Sequence, residues 1–177
     1  MGLDITAYRR LTLRDSSINE DGEAVDPITG ETLDDCLRVF ANPGFPGREE
    51  GLIDRAVYAY EESDDVLGMS YGRYNAWRES LAKLAGYPLT EVTERFGPSR
   101  MLHAGACWAG ATGPFSELIN FADNEGTIGP VVAAKLARDF AEFEERAKAI
   151  GDDFYQAFLD LKRGSEMAAD SGALDFH

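Results

Sequence analysis

Three groups of residues in this 177-residue chain have the side-chain types and spacing to carry chemistry. The first is Asp123-Asn124-Glu125-Gly126. Two carboxylates on one turn, ahead of a helical pattern, could hold a hard cation or serve as acid and base. A calcium loop would continue with oxygens at alternate positions and a distant glutamate, and no such run follows Gly126. The expected role is therefore a polar turn whose acids favour the positive end of the next helix.

The second group is Tyr71, Asn75 and Arg78, spaced four and three apart so that they share one helical face. A ring, an amide and a guanidinium side by side suit a small planar or anionic ligand. An Arg78 clamp onto the carboxylates of Asp123 and Glu125 would use the same charge and is the simpler expectation. The adjacent Tyr74 and Trp77 fall on the apolar stripe and read as core.

The third group is Cys36, His103, Cys107 and His177. Four such ligands match the count of a zinc site, but there is no Cys-x-x-Cys pair and two of the four stand alone. No metal is expected. A Cys107 nucleophile served by His103 lacks an evident orienting carboxylate, and a buried cysteine is ordinarily a small apolar residue. Phosphate-loop, dinucleotide, nucleophile-elbow and His-Glu-x-x-His patterns are all missing. The sequence thus implies no cofactor and gives catalysis no motif.

The elements that must position these residues come from periodicity. Leu3, Ile5 and Ala7 alternate as in a half-buried strand that ends or bends near Arg9 and Arg10. Residues 15–35 hold turn chemistry and acids without an apolar period, which predicts a mobile connection or an extended hairpin loop. Residues 36–40 and 56–61 read as two further short strands. Tyr74, Trp77, Leu81 and Leu84 predict a helix starting behind Ser70 and stopped by Gly86. Residues 88–96 predict one more helical turn, and 115–121 a short helix. Val132, Leu136, Phe140, Phe143, Ala147 and Ile150 mark the longest helix, opened by Pro130. A last helix runs from a cap at Asp152 or Asp153 through Phe154, Phe158 and Leu161. The tail 173–177 adds an edge strand or docks on the core. Strands first and helices later give an α+β fold: a small antiparallel sheet from the N-terminal part, packed on three to four helices from the C-terminal part. A single domain over 1–177 fits the length.

Charge narrows the function. The chain carries 32 acids against 17 bases, a net charge of −15. Acids dominate residues 1–68 and 114–177, whereas bases outnumber acids between 69 and 113. A field of that sign repels nucleic acid and anionic membranes, so neither is an expected partner. Most of the basic residues are Arg. Arg suits paired contacts with carboxylates, so some should tie the acidic faces together. Glu61, Glu62, Asp64 and Asp65 form the densest acidic stretch outside every apolar stripe and are candidates for contacting a basic partner. No apolar run is long enough to span a bilayer, and the opening residues lack a secretory pattern, which together with few cysteines predicts a cytoplasmic protein.

Several segments resemble a set of small phage and prophage proteins: Met1-Gly2-Leu3-Asp4-Ile5, Ser70-Tyr71-Gly72-Arg73-Tyr74-Asn75-Ala76-Trp77-Arg78, Gly113-Pro114-Phe115-Ser116-Glu117-Leu118-Ile119, the 121–130 stretch, and the closing Phe176-His177. That set more often has Cys where this chain has Asn124. The resemblance implies a mobile-element origin and assigns no catalytic residues. The leading expectation is an acidic interaction protein, monomer or homodimer, that imitates a polyanion and occupies a basic host protein. The alternative is a small-molecule-binding protein or hydrolase with a pocket between the 71–78 helix and the 123–125 turn.

Overall fold

The computed structural model of the chain describes residues 2–93, 97–121 and 126–177. The alternating apolar run at the start forms β1 (Gly2–Arg9), with Leu3, Ile5 and Ala7 fully buried. Arg10 adopts φ 52°, so the chain turns there and the next strand, β2 (Thr12–Arg14), joins a different sheet. The acidic, turn-rich run that follows is a hairpin of β3 (Ser17–Ile18) and β4 (Ala24–Val25). Its ends are made by local chemistry: Asn19 Oδ1 accepts the amides of Asp21 and Glu23, and Asp26 Oδ1 those of Ile28 and Thr29. Next come β5 (Leu37–Arg38) and β6 (Val57–Ala59), shorter than the expected strands, which pair with β2 in the order β2-β6-β5.

The remaining elements are β7 (Glu62–Ser70), α1 (Tyr71–Ala85), β8 (Thr90–Val92), β9 (Arg100–Leu102), α2 (Ala104–Trp108), α3 (Ser116–Ile119), β10 (Gly126–Ile128), α4 (Pro130–Lys148), α5 (Asp152–Ala169) and β11 (Ala173–Phe176). The principal sheet is antiparallel, in the order β10-β11-β1-β7. The fold is α+β.

Three helices carry the stripes that periodicity marks. In α1, Tyr74, Trp77, Leu81 and Leu84 are buried, and Gly86 at φ 88° donates to the Lys83 carbonyl and stops the helix. Ser70 stands at the N-cap position, but its side chain makes no cap bond. Phe140 of α4 meets Phe158 of α5 edge-on at 4.8 Å, and both touch Phe115. Ile150 lies beyond the end of α4 and is exposed. Gly151, at φ 141°, takes the N-cap position of α5, leaving Asp152 and Asp153 in the first turn, where their charge suits the helix dipole.

Other expectations give way. Residues 90–92 are a strand, because Thr90 and Val92 pair with Leu102 and Arg100 across an antiparallel ladder. β11 lies inside the sheet, with β1 on one side and β10 on the other. β7 and β10 arise where the sequence shows turn-like acids and glycines. Between Ile5 and Thr6 the β1–β7 register slips by one residue, so Val66 bulges. Its side chain is buried against α5 at Gly164, where an added Cβ would lie 3.1 Å from both Val66 methyl groups. That close approach sets the height of α5 above the sheet.

Candidate functional site

Arg78 is the residue around which a site forms. It belongs to α1 one turn after Tyr74 and is 3% exposed. Its Nη1 donates to the Ile119 carbonyl at 2.7 Å and its Nη2 to Asn75 Oδ1. The guanidinium lies over the rings of Tyr74 (5.1 Å) and Trp108 (5.9 Å). A buried cation is tolerated when hydrogen bonds and aromatic faces replace its water.

The elements around it are held by specific contacts. The Ile119 carbonyl is presented by α3, whose entry is fixed from α4. Phe115, left-handed at φ 58°, donates its amide to Asp139 Oδ2 at 2.8 Å. Lys135 Nζ donates to the Gly113 carbonyl and bridges Glu117 and Asp139. On the other side, the Glu79 carboxylate accepts the amides of His103 (2.9 Å) and Ala104 (2.8 Å), the opening of α2. This bond carries Trp108 toward α1.

The result is a groove of about 510 Å³ between α1, α2 and the β8–β9 hairpin. Asn75 and Arg78 line it from α1, Arg100 and Leu102 from β9, and Trp108 from α2. Trp108 keeps 42% of its surface exposed. The volume is within the usual range for small-ligand sites. Of the ligand candidates read from sequence, Asn75 and Arg78 therefore share a cavity. Tyr71 does not line it and packs, half-buried, against the main core. Asp123 and Glu125 lie outside the described residues, as do the clamp and the pocket wall expected of them. Trp108, Arg100 and Leu102 escaped the sequence reading because the 97–113 stretch shows no period, a lone Trp among Ala and Gly being the one available signal; Glu79 escaped it because its partners are amides more than twenty residues away.

The acidic candidates have internal partners. Glu62 pairs with Arg9 at 3.1 Å, Glu61 with Arg10 at 2.9 Å and Asp64 with Arg163 at 3.1 Å. Asp65 accepts the Thr6 hydroxyl at 2.9 Å. Arginine does tie acidic faces together here: three of the four acids named as candidates for contacting a basic partner are in ion pairs. Exposed pairs contribute little. The variant with Glu61, Glu62, Asp64 and Asp65 changed to Gln or Asn is expected to fold and to shift its urea midpoint far less than Phe140→Ala. A comparable shift would mean that these pairs hold the sheet together.

The sulfur and imidazole residues have separate surroundings. Cys107 is buried, and burial pushes its thiol pKa up, which disfavours the thiolate. His103 Nδ1 faces the Tyr87 carbonyl rather than Cys107. Cys36 Sγ donates to the Leu33 carbonyl, and His177 Nε2 lies 3.0 Å from Thr6 Oγ1. Among the described residues, no group of three or more His, Cys, Asp or Glu can hold a metal ion, and no helix is long and apolar enough to cross a membrane. No family model, curated protein or solved structure matches the chain.

Proposed function

We propose that the chain is a binding protein of mobile-element origin that holds a small planar anion in the groove between α1, α2 and the β8–β9 hairpin. One observation carries this reading: a buried guanidinium stacked beside a half-exposed indole, with an amide at the rim, in a groove of about 510 Å³. The ligand's flat part lies on Trp108, and its anionic group meets the Asn75 amide within the positive field of the Arg78 and Arg100 guanidiniums that line the groove. The surrounding segment, 69–113, is the one part of the sequence where bases outnumber acids. Glu79, the acid in the wall, has both oxygens committed to the α2 amides.

Gly72 provides the test. It lines the groove, and a Cβ placed on it meets nothing within 4 Å. Gly72→Leu therefore projects a side chain from the groove wall through a Cβ that meets no neighbour, and replacing a helical Gly favours folding by about 0.5–1 kcal/mol. Aromatic carboxylates and nucleoside monophosphates are titrated while Trp fluorescence is followed. The wild type is expected to respond and Gly72→Leu to bind at least tenfold more weakly, with a melting temperature no lower than that of the wild type. Equal binding by the two proteins, or none by the wild type, removes the reading.

A second reading is favoured by the net charge of −15: an acidic cytoplasmic protein that occupies a basic host protein in place of a polyanion. Its association rate would fall steeply with salt, since screening acts over about 10 Å at 0.1 M. A captured partner whose affinity ignores salt would end that reading.

A further inference from the structure

The principal sheet has two edges, and they differ. At β10 the edge is covered: the Thr127 amide donates to the Phe40 carbonyl at 2.9 Å, and the Phe40 amide donates to Thr127 Oγ1 at 3.0 Å. At β7, nine residues long, the strand pairs with β1 on one side and, among the described residues, with no strand on the other. A long open edge offers a row of amides and carbonyls to any extended chain. We infer that this edge receives an extended basic segment of a partner protein as a fifth strand. The inference goes beyond the groove reading and does not depend on it.

Two hollows along the edge supply side-chain sites. The first, about 440 Å³, straddles the bulge and is lined by Asp65, Val66 and Gly68 of β7 with Asp4, Asp160 and His177. Arg163 reaches Asp64 and Asp160, at 3.1 and 3.9 Å, which leaves carboxylates in excess there. The second, about 230 Å³, is mainly apolar, lined by Met69, Trp77 and Phe154 with Arg73 and Asp153 also in its wall. Val66 and Met69 are three residues apart, about 10 Å along a strand at roughly 3.3 Å per residue. The two faces also differ. Met69 stands opposite the buried Leu3 and so lies on the helix side, whereas Asp65 bonds Thr6 on the far side.

An added strand that alternates apolar and basic side chains satisfies both faces, since successive side chains point opposite ways. The charge selects the occupant. A second copy of the chain would bring another −15 and the same acids to the edge. The half of the strand from Leu67 to Ser70 carries no charge and no proline to discourage pairing.

The test uses the full chain, labelled with nitrogen-15, and the synthetic peptide Lys-Val-Lys-Phe-Lys-Val-Lys. Amide shifts are expected at residues 66–70. Two N-methylated peptides, each blocked on alternate amides, distinguish pairing from attraction: one is expected to lose binding at least tenfold and the other to retain it, because only one edge of an added strand is bonded. Met69→Lys is expected to weaken binding of the parent peptide, as is the pair Asp65→Asn with Asp160→Asn. Equal binding of both methylated peptides would show attraction without pairing and overturn the inference. So would shifts confined to the groove, no binding at about 1 mM peptide, or a chain that sediments as a dimer the peptide fails to dissociate.

Discussion

Phe140→Ala is expected to lower the unfolding free energy by about 3–5 kcal/mol. Phe140 has no exposed surface and meets Phe115 and Phe158 edge-on at 4.9 and 4.8 Å. Its ring thus joins α4 to α5 and to the turn that opens α3. Removing it costs the transfer of the ring and leaves a cavity that the neighbours close poorly. Phe115 is held at φ 58° by the bond from its amide to Asp139, so it does not swing in to fill the space. Trp77→Ala belongs to the same class, because Trp77 stacks between Tyr74 and Phe154 and donates to the Phe154 carbonyl at 3.2 Å. It borders an open hollow, so water offsets part of its loss. Urea titration of the three proteins, with Phe140→Leu as the smaller truncation, expected to fall between wild type and Phe140→Ala, measures the effect. A Phe140→Ala midpoint close to that of the 61–65 charge variant would mean that the register of α4 is wrong.

Gly172→Ala is expected to be still more damaging, with a loss above about 3 kcal/mol or no folded protein at all. Gly172 lies in the turn between α5 and β11, and its amide donates to the Ala168 carbonyl at 2.8 Å. A Cβ there would collide with the backbone carbonyl of Tyr8 and lie 3.0 Å from the Ala168 Cα. Both obstacles are main chain and have no rotamer to retreat into. Relief requires lifting β11 from β1 or unwinding the end of α5. Because β11 is paired on both sides, the first route disturbs three strands of the principal sheet. Gly22→Ala is the control: Gly22 sits at φ 84° in open space, so the substitution costs only backbone strain of about 1–2 kcal/mol. Melting temperatures and hydrogen exchange of the β11 amides separate the two. If both variants melt alike, β11 does not pack against Tyr8 as described.

The candidate site was half legible in the sequence. Asn75 and Arg78 lie one turn apart on a strongly patterned helix, so their proximity follows from helical geometry alone. The opposite wall did not follow. Trp108, Leu102 and Arg100 come from a stretch whose elements are three and five residues long, too short for a period to show. Their placement depends on Glu79 binding two amides more than twenty residues away. The acids of 61–65 were visible as a cluster, but not as paired groups. Their partners, Arg9, Arg10 and Arg163, come from β1, the turn after it and α5.

What the sequence determined by itself are the features that neighbours along the chain can specify. The apolar stripes of α1, α4 and α5, the stop at Gly86, the turns at Asn19 and Asp26, and the alternation of β1 all arise within one or two turns of backbone. The tertiary structure decided the rest of the principal sheet. β7 reads as acids and glycine, β10 as a polar turn, and β11 as a tail, yet all three are in register with β1 or with one another. Thr6 shows why: its partners across the sheet are Asp65 on one side and Asp175 on the other. A strand is completed by hydrogen bonds to segments remote in sequence, so its local pattern holds only half of the information. A helix satisfies its backbone internally, and its pattern states what it buries.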